Sequence, residues 1–456
     1  MVLSLWGYPP HELNWCDMFK AYTLPPVTFA FRDNICRPDR FRGLQELGPF
    51  QRPTTNGPPK FGFVFPSGYR EQANRLFLAL KNGLGHFRGV ENAFRFPLQK
   101  DQVFPVTGFS IQKGANPKDT ARIYADAVLS WTKRNSERPD MFFVLHPRTS
   151  KWEQESPYYQ CKALLLQEGL LSQDVTFELL NDRSKFEWSV ANIALAAFVK
   201  LGGIPWIVSG EDSEQDLIIG IGSASLYDPE KRQRTRFIGF TACFSARGVF
   251  KFVSLANVAQ SREEYLAMLE NVVSSSLEKA EQLGSSVTSL TLHVPKEMGW
   301  DETASIEKAV KKHTTKHLPQ ISVVKITDES NFFIVDEQSS EGVPRRGTVS
   351  QVSDEDYMLY TEGREENLSW RYRMPTALHI TPQGPHFATQ QMAEVIRQIY
   401  DLSQVNWRGF NAQSRPISIL YGGLIANILS HVPVSEVENL YQDKARKSLE
   451  ERMWFL

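Results

Sequence analysis

Residues 200–222, KLGGIPWIVSGEDSEQDLIIGIG, hold the turn on which the reading of the whole chain depends. A lysine ends an apolar helical run, Gly202-Gly203-Ile204-Pro205 breaks it, an acidic loop follows, and an apolar strand-like piece ends on Gly222. Upstream, apolar runs at 61–65, 141–145, 175–180 and 204–208 alternate with helical patterns over 69–84, 117–132, 157–167 and 185–201. That rhythm predicts a parallel sheet covered on both faces, a Rossmann-like α/β domain over 59–210.

Downstream the rhythm changes. Three consecutive strands are predicted at 217–222, 236–244 and 249–255, with a basic turn (Lys231, Arg232, Arg234, Arg236) between the first two. A helix at 263–283, a strand at 289–294, a helix at 303–316, strands at 321–326, 332–336 and 376–380, and helices at 389–402 and 417–429 follow. This order predicts an RNase H-like domain over 211–456. Residues 1–58, rich in Pro, Arg and aromatics, predict a short irregular β-rich segment that packs on a neighbouring surface or docks a partner.

The chain has 456 residues, more than one hydrophobic core usually supports. Its 51 Lys+Arg balance 52 Asp+Glu, so a polyanion would be held by local basic clusters and not by a global field. Cys16, Cys36, Cys161 and Cys243 form no C-x-x-C pair, which argues against a zinc ribbon or a disulfide framework. No apolar run is long enough to span a bilayer and no secretory leader is visible, so a cytoplasmic protein without a membrane is expected.

The segment Ser156-Pro157-Tyr158-Tyr159-Gln160-Cys161-Lys162 combines an N-cap serine, proline at the first helical position, and Tyr158 and Lys162 one turn apart on one face. A phosphate fits such a helix start, although Tyr and Lys at this spacing are also common on solvated faces. Gln173 opens the next strand and Lys200 ends the helix before the Gly-Gly-Ile-Pro-Trp hinge. Here the chain resembles the Argonaute family, specifically its short prokaryotic members built of MID and PIWI domains. Tyr158, Lys162, Gln173 and Lys200 match the family's pocket for a guide strand's 5′ phosphate in identity, order and approximate spacing. Asn406-Trp407-Arg408 and the segment from Pro416 through Tyr421-Gly422-Gly423-Leu424 resemble further family motifs.

The resemblance implies a MID domain over 59–210 and a PIWI domain over 211–456. It implies that the apolar end Met453-Trp454-Phe455-Leu456 tucks back into the pocket, where Gln173 and the Leu456 carboxylate help hold Mg²⁺ or Mn²⁺ over the phosphate. Trp152 is a candidate for stacking on the guide's first base. In cleaving relatives, carboxylates hold two Mg²⁺ ions about the scissile phosphate. Here their positions fall at Gly222, Val294 and Gly423, none of which ligates a metal through its side chain. Asp216, Asp228, Glu297 and Asp301 lie nearby in turns. His313 and His317, four residues apart, sit among lysines that would repel a cation.

The expectation is a non-cleaving protein that presents a 5′-phosphorylated guide, RNA by the family resemblance, for pairing with complementary single-stranded DNA of plasmid or phage. A companion protein with an APAZ region and a TIR, sirtuin-like or nuclease effector domain is implied as its partner in prokaryotic immunity. Two rivals stand beside it. One is a guide-dependent nuclease with relocated metal ligands, and the other is a plain α/β protein with a small-molecule phosphate site.

Overall fold

The computed structural model describes residues 2–4, 21–54, 57–112, 115–148, 157–210, 216–228, 233–255, 258–259, 261–282, 287–313, 319–330, 332–364, 374–383, 389–430 and 450–456. A four-stranded, all-parallel sheet runs in the order Val103–Val106, Phe61–Val64, Met141–His146, Ser172–Thr176. Every residue of its two central strands is buried, as expected of strands with helices on both faces. Phe142 and Val144 face Tyr124 of helix Pro117–Arg134 and Cys161 of helix Pro157–Gln167. Phe61, Phe63 and Phe143 face the opposite layer, with Leu76 of helix Arg70–Asn82 and Val190 of helix Arg183–Lys200.

The second sheet begins with three antiparallel strands, Phe250–Leu255, Gln233–Ser245 and Asp216–Asp228, and continues in parallel through Ser289–Val294 and Gln320–Thr327. This is the RNase H-like order. Leu378–Gln383, Tyr357–Leu359, Thr348–Gln351 and Ala21–Thr23 extend it antiparallel. Leu217 and Ile219 face helices Arg262–Gln282 and Trp300–His313, whereas Ile218 faces Thr389–Gln404 and Ile417–Ser430. Ile218's core is continuous with that of the four-stranded sheet. The chain thus adopts an α/β fold with a Rossmann-like half before an RNase H-like half.

The hinge is built by backbone geometry. After helix Arg183–Lys200 the Gly202 N–H donates to Val199 O and the Gly203 N–H to Phe198 O, the paired bonds of a Schellman turn, with Gly202 at φ +91°. Trp206 beyond it is fully buried, and its carbonyl accepts from Trp407 Nε1 at 3.0 Å. Trp407 N in turn donates to the Tyr421 hydroxyl at 2.8 Å, which ties the hinge to helix Ile417–Ser430.

Several sequence expectations are corrected. The strand expected to end on Gly222 runs on as Asp216–Asp228, with Gly222 at its middle, and Arg234 and Arg236, expected in the turn after it, lie in strand Gln233–Ser245. The run 175–180 is not one strand: strand Ser172–Thr176 ends where Thr176 caps the short helix Phe177–Asn181, its hydroxyl accepting from Leu179 N. The run 204–208 does not join the parallel sheet. Ile204 bridges Gln51, and Ile207–Val208 pairs antiparallel with Phe29–Ala30 in a small sheet with Cys36–Arg37. Strand Phe332–Ile334 pairs with Val2–Ser4, outside the large sheet.

Much of the described N-terminal segment packs on the protein itself. Arg40, in helix Arg40–Leu47, is buried and donates to Gln404 O, Gln404 Oε1 and Phe410 O at 2.9–3.1 Å.

Candidate functional site

Strand Ser172–Thr176 is an edge of the four-stranded sheet, and two lysines from different helices converge beside it. Lys162 is 1% exposed and Lys200 is fully buried, a placement that lysine almost never takes without a counter-charge. Lys200 Nζ donates to Ser172 O and Gln173 Oε1, both at 2.8 Å. Lys162 Nζ lies 3.5 Å from the Tyr158 hydroxyl and 3.4 Å from the Leu456 carbonyl oxygen. Tyr158, Lys162, Gln173, Lys200 and Leu456 are therefore brought together from two helices, a strand and the segment at 450–456.

Leu456 arrives because its neighbours are apolar. Met453, Trp454 and Phe455 are each no more than 2% exposed, and the Phe455 ring packs 5.5 Å from that of Tyr421 and 6.2 Å from that of Phe250. Lys279 Nζ–Glu450 Oε2, at 2.7 Å, fastens the start of the same segment.

Three further residues complete the pocket's electrostatics. Asp174 follows Gln173 and is buried, with His146 Nε2 3.7 Å from its Oδ1. Among the described residues its Oδ2 and the His146 Nε2 have no hydrogen-bond partner. Burial pushes the Lys162 amine down to about 8, with Asp174 opposing. Burial, and then the charge of Lys162, drive Lys200 well below the ordinary lysine range. Burial raises the Asp174 carboxyl, against the pull of His146, Lys162 and Lys200, and burial raises the Tyr158 phenol. Arg408 is exposed and adds positive potential at Tyr158, Lys162 and Lys200.

Two crowded, dehydrated ammonium groups favour an anion strongly. An acidic residue inside a short strand was the signal for Asp174, and Arg408 lies in the quoted Asn-Trp-Arg motif. His146 gave no signal beyond closing a strand.

A divalent cation fits the donors present. Gln173 Oε1 and Leu456 offer oxygen only, the chemistry of Mg²⁺ or Mn²⁺ sites. A cleft of about 920 Å³ opens at Arg408 and is lined also by Arg42, Arg88, His86, Trp188 and Asn192. Trp188 in it is 72% exposed, 6.0 Å from the His86 ring.

Trp152, Ser156, His317, Lys231 and Arg232 lie outside the described residues. His313 pairs with Glu278 at 3.3 Å. Gly222 is buried opposite Phe240, beside an irregularity of the ladder, and the neighbouring strand ends in buried Val294. Gly423 faces open space on helix Ile417–Ser430. Glu297 and Asp301 are exposed beyond Val294; against the expectation of turns, Asp301 lies in helix Trp300–His313 and Asp216 and Asp228 are the first and last residues of their strand, at equal remove from Gly222. No group of three His, Cys, Asp or Glu able to hold a metal occurs among the described residues. No helix among them is long and apolar enough to cross a membrane.

A fold that joins a parallel-sheet half bearing a buried lysine pocket to an RNase H-like half defines a class, and comparison with known proteins identifies it. The model of the Piwi domain matches residues 149–432, well over half the chain. The chain belongs to the Piwi domain family. It is 23% identical to the "Protein argonaute" of Cereibacter sphaeroides (strain ATCC 17025 / ATH 2.4.3) over 463 residues, which is 95% of this chain and 58% of that protein. It is 24% identical to the "Piwi protein" of Archaeoglobus fulgidus over 328 residues, 66% of this chain and 71% of that one. Its fold matches the structure of Clostridium butyricum Argonaute bound to a guide DNA and a 19-mer target DNA with a TM-score of 0.67 at 16% identity, covering 93% of this chain and 55% of that one. The chain thus spans little more than half the length of the two Argonautes.

Proposed function

We propose that this protein holds a guide strand by its 5′ phosphate and presents it for pairing with a complementary strand. The observation that carries the reading is the convergence of Lys162, Lys200, Gln173 and Tyr158 on one buried point beside Leu456. The phosphate replaces the water that two buried ammonium groups lack, and Tyr158 and Lys162 donate to its oxygens. Gln173 and Leu456 hold Mg²⁺ or Mn²⁺ beside it, where the ion offsets the phosphate's charge. From this point the cleft at Arg408 offers arginines for backbone phosphates and Trp188 for a base face, so affinity comes from charge and stacking while sequence is read by pairing.

The family resemblance supports RNA as guide and single-stranded DNA of plasmid or phage as target. It supports an APAZ-containing companion, of TIR or sirtuin-like NAD-depleting type before nuclease type, that is activated when the target pairs. In this reading the heterodimer serves prokaryotic immunity in the cytoplasm. Gly222, Val294 and Gly423 support a strand-holding role without cleavage. The test is to purify the protein from cells, sequence the nucleic acid it carries, identify the protein that accompanies it, and incubate it with guide, target and Mg²⁺ or Mn²⁺. Expected are 5′-phosphorylated strands of defined length and no cut target. Guide-dependent cleavage that disappears in Glu297→Ala would establish the nuclease reading instead.

A further inference from the structure

We propose that Asn427 is a positioning residue of the phosphate pocket, setting through the Tyr159 hydroxyl where Tyr158 meets a guide's 5′ phosphate. The proposal rests on the 5′-phosphate reading above and gives a role to two residues which that reading does not use. Tyr158 and Tyr159 are neighbours in the first turn of helix Pro157–Gln167. The Tyr158 hydroxyl lies 3.5 Å from Lys162 Nζ, at the outer limit of a hydrogen bond, so that contact holds it only loosely. Ring packing holds it instead. The Tyr159 ring stands edge-on to the Tyr158 ring, 4.6 Å away at 71°, whereas the His146 ring is 6.4 Å away. Tyr159 is 5% exposed, and its hydroxyl accepts from Asn427 Nδ2 at 2.7 Å.

Asn427 belongs to helix Ile417–Ser430, in the RNase H-like half. The same helix carries Tyr421, whose ring packs 5.5 Å from that of Phe455, and Phe455 precedes the Leu456 whose carbonyl oxygen is 3.4 Å from Lys162 Nζ. One helix thus braces the pocket from two sides, Tyr158 through Tyr159 and Leu456 through Phe455. The first turn of a helix has backbone N–H groups without intrahelical partners, so a side-chain tie there fixes direction that the helix itself does not. A recognition group acts only when it is held within about 0.5 Å of its productive place. Releasing Tyr159 therefore releases the ring that Tyr158 leans on. Were the bond only a stabilising contact between the two halves, its loss would lower the melting temperature and weaken 5′-phosphate and 5′-hydroxyl strands alike.

The two cases separate in a binding experiment on the full chain. One labelled oligonucleotide is titrated as its 5′-phosphate and 5′-hydroxyl forms against the wild type, Asn427→Leu, Tyr159→Phe and the two combined. Tyr159→Phe removes the same bond and keeps the ring, should the leucine fail to fold. Tyr158→Phe is measured alone and on the Asn427→Leu background. Each single variant is expected to lower the preference for the phosphate form by about three- to tenfold, and the combination by no more than the stronger single, because both remove one bond. Tyr158→Phe is expected to lower that preference about tenfold or more in the wild type and about threefold or less beside Asn427→Leu, since the two residues do not touch and couple only through Tyr159. An unchanged preference, equal losses for both strands, additive losses, or the same cost of Tyr158→Phe on both backgrounds overturns the proposal alone. Equal binding of the phosphate and hydroxyl forms by the wild type overturns the 5′-phosphate reading, and the proposal with it.

Discussion

Replacing Lys200 with methionine separates binding from folding. The side chain is fully buried, and its amine makes two bonds of 2.8 Å, to Ser172 O and Gln173 Oε1. Methionine keeps the unbranched stem and removes the charge. On stability, losing two hydrogen bonds opposes relief of a dehydrated ammonium held beside Lys162. The net change is expected within about 2 kcal/mol of zero. On binding, one charge-assisted contact to the phosphate disappears, about 1.5–3 kcal/mol. At 1.4 kcal/mol per tenfold this weakens a 5′-phosphorylated strand by about ten- to 150-fold. The 5′-hydroxyl strand, which never meets the amine as an anion, should be almost unaffected. Fluorescence polarisation with both strands, beside a thermal melt, measures all three quantities. Equal losses for the two strands, or no loss in a folded variant, would refute the assignment of Lys200 to the phosphate.

Lys162 gives a pH dependence of defined sign. Its amine is held at about 8 in the folded protein against 10.5 for an unperturbed lysine. Between these values the unfolded chain binds the extra proton, so the melting temperature of the guide-free protein gains a contribution that rises with pH across that window. Phosphate needs the charged amine, so affinity for the 5′-phosphate strand should fall above about pH 8, and Lys162→Met should flatten both trends. Gly220→Ala should destabilise by about 1–3 kcal/mol or more in denaturant titrations, because a Cβ there would lie 2.1 Å from the Ser418 backbone oxygen. Phe455→Ala, which empties the space between Tyr421 and Phe250, should cost about 3–5 kcal/mol and weaken guide binding by loosening Leu456. A variant with unchanged melting would show that the segment does not anchor the pocket.

The parallel sheet was legible because its central strands are buried on both faces and its helices carry clear start and stop residues, such as Asn116-Pro117 and the Gly-Gly turn after Lys200. Edge strands were not. Val103–Val106 contains Pro105 and is only partly buried, so neither alternation nor a continuous apolar run marks it. Strands Thr348–Gln351 and Tyr357–Leu359 are too short to show a period. At 175–180 one apolar run serves a strand end and a helix turn, which periodicity alone cannot divide. Tyr158 and Lys162 stood out as a pair one turn apart at a helix start, but their union with Gln173 and Lys200 came by resemblance and not by pattern, since the contacts that unite the four join two helices and a strand. Asp174 and His146 were missed because a lone acid and a lone histidine acquire meaning only when burial and proximity are known.

The most direct measurement is the affinity of the wild-type protein for one oligonucleotide carrying either a 5′ phosphate or a 5′ hydroxyl, in Mg²⁺ at pH 7. With two buried lysines turned on the phosphate, a preference of about 100-fold or more for the phosphate form is expected, at about 1.5–3 kcal/mol per charged contact. Equal affinities would contradict the assignment of this pocket to a guide's 5′ end.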